Sequence, residues 1–170
     1  MTDRPRSPLP SMDHAAGAAM WSAYGVANPA AVAGQDEPVV VCFGDSVELA
    51  DELLELVLHG PKRATAGLVA DFAVDDEPLP RIGGHWVVCD GSGTPRAVLR
   101  TVDLRVGVAG SVDDAFAWDE GEGDRTRDDW LRMHRGYWER VCAARGDRYS
   151  DDQEVVFERF RVVWPPEHAD

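Results

Sequence analysis

The chain has 170 residues, 44% hydrophobic and 28% charged, which suits one soluble globular domain with a sizeable core, excludes a fibre and a grossly disordered chain, and argues against two independently stable domains. Acidic residues outnumber Lys plus Arg by 31 to 17, for a net charge of -14, so the overall field repels nucleic-acid phosphates unless cations are gathered into a patch. No run approaches the roughly 18 apolar residues of a membrane helix, and the N-terminus lacks the apolar core of a secretory signal, so a cytoplasmic protein away from membranes is expected.

Residues 1–10, with two Arg and three Pro, read as a disordered tail, and 11–170 as a single domain. Ser11 is placed to cap a helix running to about Val26, which Asn28 and Pro29 end. A linker over Ala30 to Pro38 leads to an apolar run, Val39 to Phe43, that reads as a strand. Asp45 with Glu48 resembles a capping box, and Leu49, Leu53, Leu56 and Val57 repeat at helical spacing, predicting a helix from Ser46 to His59 before Gly60.

The segment Gly60 to Thr65, GPKRAT, then turns into a strand expected to end near Phe72, with an acidic loop over Asp75 to Pro80. His85 to Cys89 and Ala97 to Val106, joined by DGSGTP (Asp90 to Pro95), read as a β-hairpin. A short acidic helix is expected over Val112 to Trp118, followed by an irregular EGEGD segment (Glu120 to Asp124). Thr126 with Asp129 makes a second capping box, opening an amphipathic helix that stops at Gly146, and Val155 to Val163 reads as a last strand. This mixed order lacks the regularity of a doubly wound sheet, and predicts a small closed β-barrel, antiparallel or mixed, flanked by helices in an α+β fold.

Sixteen of the 17 basic residues are Arg, and Lys62 is the one Lys. In a chain that writes Arg where Lys would serve, Lys62 is either a place where a guanidinium does not substitute or the chance survival of one codon; an ammonium, unlike a guanidinium, can lose its proton when desolvated. Lys62 and Thr65 share a pocket only if Lys62 still lies in the turn opened by Pro61, since an odd separation on a strand points side chains to opposite faces. In such a pocket Lys62 would act as base for attack by the Thr65 hydroxyl. Glu120 or Glu122 would serve as acid or orient the base, and His134, one helical turn beyond Trp130, would titrate, stack on a base, or sit hydrogen-bonded on a buried helix face.

Cys42, Cys89 and Cys142 form no disulfide framework or zinc motif and read as core residues. No phosphate-binding, dinucleotide, nucleophile-elbow or HExxH motif is present, so any catalysis is expected to need neither metal nor cofactor. Acidic residues dominate 45–80 and 111–124, basic ones 81–110 and 125–148. A modest basic cleft would form if the hairpin faced the long helix; otherwise Arg127, Arg132, Arg135 and Arg140 simply solvate a helix face.

FGDS (Phe43 to Ser46), GPKRAT, Pro78 to Pro80 followed by Gly83 and Gly84, DGSGTP, EGEGD, Trp130 with His134, and VVFERF (Val155 to Phe160) stand in an order that resembles the ASCH domain family over about Trp21 to Val163. The resemblance implies a PUA-like barrel with a cleft suited to RNA. Some small members look like amidohydrolases of N4-acylated cytidine that use a Lys, a Thr and a Glu. Their G-x-K-x-x-T turn falls on Lys62 and Thr65, and their Glu, three residues after an Ala, on Glu120 after Ala117. Longer members, more similar in length and in the FGDS and EGEGD segments, are described as metal-independent ribonucleases of single-stranded RNA. The expected function is therefore a hydrolase of a modified nucleoside or of RNA, with Lys62, Thr65 and Glu120 catalytic and Arg63, Glu122, Trp130 and His134 contacting substrate. The other reading is a non-catalytic RNA-binding module whose cations meet phosphate while Trp130 or Tyr137 stacks on bases.

Overall fold

The structure is a computed structural model and describes residues 6–170. In chain order its elements begin with α1 (His14–Ala27), α2 (Pro29–Val32), β1 (Val39–Cys42), α3 (Val47–Leu58), β2 (Ala64–Leu68) and α4 (Val69–Val74). They continue with β3 (His85–Cys89), β4 (Pro95–Val108), a 3-10 turn (Ala109–Ser111), α5 (Asp114–Glu120), α6 (Arg127–Ala144) and β5 (Glu154–Trp164). The strands lie in the order β1-β3-β4-β5-β2. β1 runs parallel to β3, while β3 with β4 and β2 with β5 are antiparallel. This is the α+β fold with a mixed sheet and flanking helices that the element order predicted; β1 and β2 stand at the two ends of the strand order. No helix among the described residues is long and apolar enough to cross a membrane.

Two compact units are distinguished, and both draw on β4 and β5. The first contains the residues up to His59 together with Gly83–Arg100 and Arg161–Asp170. In it α1 lies against the sheet through Gly17, where a Cβ would come within 2.6 Å of Val40, and through Tyr24, buried with Val87 and Val98. The cap of α1 is Asp13, whose side chain accepts from the Ala16 N–H, and not Ser11. The cap of α3 is Ser46, accepting from Leu49 N–H, one residue beyond the expected Asp45. The part of the expected tail at residues 1–5 lies outside the described residues. Residues 6–10 form no helix or strand, yet Ser7 is tied to the start of α3: its carbonyl accepts from Val47 N–H at 3.0 Å and its hydroxyl donates to Glu48 at 2.7 Å.

The second unit, Gly60–Ile82 with Thr101–Phe160, is built on the β2–β5 ladder and α6. Ala64, Leu68, Phe116, Trp130, Trp138, Val155 and Phe157 make its core. β2 ends at Leu68, short of the predicted Phe72, because its last partner is Val155 and β5 begins at Glu154. With no strand left to pair, the chain turns into α4. The predicted acidic helix is shifted two residues, to Asp114–Glu120, since Asp113 caps it by accepting from Phe116 N–H. α6 starts where expected, with Thr126 accepting from Asp129 N–H.

Candidate functional site

The GPKR segment is fixed on both sides before β2 begins. Arg63 N–H donates to the Asp119 carbonyl at the end of α5 (2.8 Å), and the Arg63 carbonyl accepts from Phe160 N–H on β5 (3.0 Å). Gly121 closes α5 in a left-handed conformation, φ 73°. A Cβ there would lie 2.9 Å from both the Pro61 carbonyl carbon and the Lys62 nitrogen, so glycine is what lets the Glu120–Glu122 segment pack onto the Pro61–Lys62 peptide. The glycines read from sequence as a source of irregularity serve here to bring two carboxylates against a lysine.

Lys62 lies in the turn and is fully buried. Its Nζ donates to the Ala64 carbonyl (2.9 Å) and to Glu122 Oε1 (2.5 Å), and stands 3.7 Å from Glu120 Oε1. Glu120, 1% exposed, has both oxygens engaged: Oε1 faces His134 Nε2 at 3.0 Å, and Oε2 accepts from the Trp130 indole N–H. His134 Nδ1 faces the Trp130 carbonyl at 2.9 Å, and the two rings stack with centroids 3.8 Å apart. Glu122 is the most exposed of the four charged side chains, at 17%, with His134 at 10%.

Both ring nitrogens of His134 therefore oppose oxygen acceptors, which a doubly protonated ring satisfies. Burial would depress the His134 pKa, but the charge and hydrogen bond of Glu120 outweigh it and raise the pKa above the usual 6.5. Burial likewise opposes the charged form of Glu120, but His134 and Lys62, with the His134 and Trp130 hydrogen bonds, hold its carboxyl below the ordinary 4.5. Two cations and two carboxylates thus form one balanced, largely buried group.

Thr65 is the second residue of β2, directly opposite Glu158 of β5 in the antiparallel register. Residues paired in this way share a face of the sheet, with Cβ atoms about 4.5–5.5 Å apart. Ala64 and Leu68, with Phe157 and Val155, face the α5–α6 core, so Thr65 and Glu158 lie on the other face. Glu158 is 7% exposed, and its Oε1 accepts from the buried Thr101 hydroxyl. Sequence reasoning did not single out Glu158 or Thr101. The usable signal was a carboxylate within the apolar run VVFERF, at a position whose partner across the ladder is Thr65.

Trp130 and Arg63 each meet neighbouring groups of the chain. One face of the Trp130 indole is stacked on His134 and Phe157 lies nearly parallel to it at 5.8 Å, so the ring is buried, with its N–H donating to Glu120. The Arg63 guanidinium turns back to the Lys62 carbonyl (2.7 Å). The arginines of 125–148 are also largely spent within the chain. Arg127 donates to the Val112 and Gly110 carbonyls, Arg132 pairs with Asp129, Arg135 with Asp151, and Arg145 with Asp71 and Asp147. Arg125 covers Trp118 and donates to its carbonyl. The Cys42 and Cys89 thiols are poor nucleophiles, burial pushing Cys42 up to about 11 and Cys89 to about 12. Among the described residues no group of three or more His, Cys, Asp or Glu is arranged to hold a metal ion.

The ASCH domain family model matches residues 39–164, a span that includes the whole of this site and most of the chain. The chain belongs to the ASCH domain family. Two solved structures share its fold over nearly their full lengths. An ASCH domain from Lactobacillus crispatus JV V101 is 25% identical with a TM-score of 0.78, covering 91% of this chain and 97% of the other. Protein EF3133 from Enterococcus faecalis V583 is 26% identical with a TM-score of 0.77, covering 88% and 89%. No curated protein matches the sequence. Within the ASCH fold of this chain, the GPKRAT turn, the end of α5 and the start of α6 supply the charged group described above.

Proposed function

We propose that this ASCH domain is a hydrolase of a modified nucleoside, of the N4-acylcytidine amidohydrolase type. One observation carries the reading: Lys62, Glu120, Glu122 and His134 form a balanced charged group around a fully buried amine. Buried ion pairs are weak contributors to stability, because desolvation offsets their attraction and apolar replacements of similar volume are often as stable or more so. Clusters of this kind concentrate where chemistry is done. Thr65 supplies the attacking hydroxyl. Glu120 stays ionised and, held by His134 and Trp130, orients the lysine instead of donating a proton. Lys62, already a donor to Glu122, delivers a proton to the departing N4 amine, and Glu122 at the solvent-facing end exchanges it with water. In this reading Lys62 is covered and substrate reaches it by displacing Glu122, the more exposed of the two glutamates.

A small ligand suits the charge better than a long strand of RNA. The net charge is -14, and the arginines best placed in sequence for a basic cleft are committed to internal partners. The test is incubation of the full chain, with a chelator present, with N4-acetylcytidine and separately with labelled single-stranded RNA. Release of cytidine with the RNA left intact is expected. Cleavage of the RNA at 2'-hydroxyl positions, with N4-acetylcytidine untouched, would replace this reading with the ribonuclease one; salt-sensitive RNA binding without turnover of either would replace it with the binding module.

A further inference from the structure

We propose that Glu158 is the general base that takes the proton from Thr65. The inference rests on the reading of Thr65 as nucleophile. Lys62 is poorly arranged for this part, since both of its partners named above, the Ala64 carbonyl and Glu122 Oε1, are acceptors toward which Nζ must donate. Glu158 offers the opposite polarity. It sits directly across the β2–β5 ladder from Thr65, on the same face, and Thr101 donates into its Oε1, so that oxygen is already held as an acceptor. Thr65 itself is only partly buried and so remains reachable by a ligand.

The step balances without a further reagent other than water. The Thr65 hydroxyl oxygen bonds to the acyl carbonyl carbon as its proton passes to Glu158. The C–N4 bond then breaks, N4 takes a proton from Lys62, and cytidine leaves. Water attacks the acyl-threonine, regenerating the hydroxyl and releasing the carboxylic acid, while Glu158 returns its proton through solvent to the lysine.

Glu158→Gln tests the assignment, because the amide keeps the side-chain volume and an oxygen for Thr101 to donate to. With N4-acetylcytidine, kcat is expected to fall by about 100-fold or more with KM nearly unchanged, and Glu158→Asp to recover part of the loss. A structural role alone would not give that split with rescue. In parallel, p-nitrophenyl acetate serves as an acyl donor that needs no nucleoside recognition. Mass spectrometry should find acetylated Thr65 in the parent chain, at least tenfold less in Glu158→Gln, and none in Thr65→Ala. Equal labelling and equal turnover in Glu158→Gln would overturn the role of Glu158 while leaving the hydrolase reading in place. Labelling of Thr65 that depends on Glu158, in a chain inert to N4-acetylcytidine, would do the reverse. A parent chain never labelled at Thr65 overturns Glu158 as its base.

Discussion

Replacing Glu120 with Gln removes one anion from a buried group of two cations and two carboxylates while leaving the side-chain shape almost unchanged. Lys62 at 3.7 Å and His134 at 3.0 Å then lose their shared counter-charge. At an effective dielectric of about 20, each of these attractions is worth about 5 kcal/mol before desolvation. Gln also recovers part of the cost of burying a carboxylate, so a net loss of about 3–5 kcal/mol is expected, the range for breaking a buried pair by removing one partner. For a chain of this size that corresponds to a fall in Tm of roughly 6–20 °C. The loss also depends on pH. The lowered pKa of Glu120 gives stability that is present above the ordinary 4.5 and lost as pH falls through the depressed value. The raised pKa of His134 gives stability that is complete below 6.5 and lost as pH rises through the raised value. The gap between parent and Glu120→Gln is therefore widest between 4.5 and 6.5 and narrows on the alkaline side. Thermal unfolding followed by circular dichroism at about pH 5.5 and about pH 8.5, bracketing the ordinary histidine range, reads both effects. A Tm within about 2 °C of the parent at the lower pH would refute the ion-pair assignment.

Gly121→Ala places a Cβ 2.9 Å from backbone atoms of Pro61 and Lys62 at a φ of 73°, and is expected to cost about 2–4 kcal/mol in chemical denaturation, with turnover falling as the turn is displaced. Ser46→Ala removes the acceptor for Leu49 N–H at the start of α3, and should cost about 1 kcal/mol in the same assay while leaving turnover unchanged. A large loss of activity with Ser46→Ala would show that α3 takes part in the chemistry.

Features written in neighbouring residues were legible in the sequence. Thr126 and the apolar spacing from Trp130 to Cys142 announce α6, and DGSGTP announces the hairpin, because caps and turns depend on a few adjacent groups. The end of β2 was not, since Val69 to Val74 is as apolar as a strand and only the start of β5 at Glu154 decides where pairing stops. In the candidate site, the chemistry of Lys62 stood out by its rarity, and its place in the turn followed from Pro61. The partners of Glu120 did not, because His134 and Trp130 reach it only once α5 and α6 are packed. Trp130 read as a surface for bases because exposure is not written in an aromatic residue. Glu158 was hidden in an apolar run, and its importance comes from a ladder register set between residues 93 apart in sequence.

Paired replacement of Lys62 by Met and Glu122 by Leu separates stability from chemistry most directly. It removes one cation and one anion together, leaves Glu120 and His134 as a matched pair, and substitutes apolar volume. A charged group kept for turnover predicts that this double variant unfolds at the parent's temperature or above, while its hydrolysis of N4-acetylcytidine falls by about 100-fold or more. A double variant that hydrolyses the nucleoside at the parent rate would contradict it.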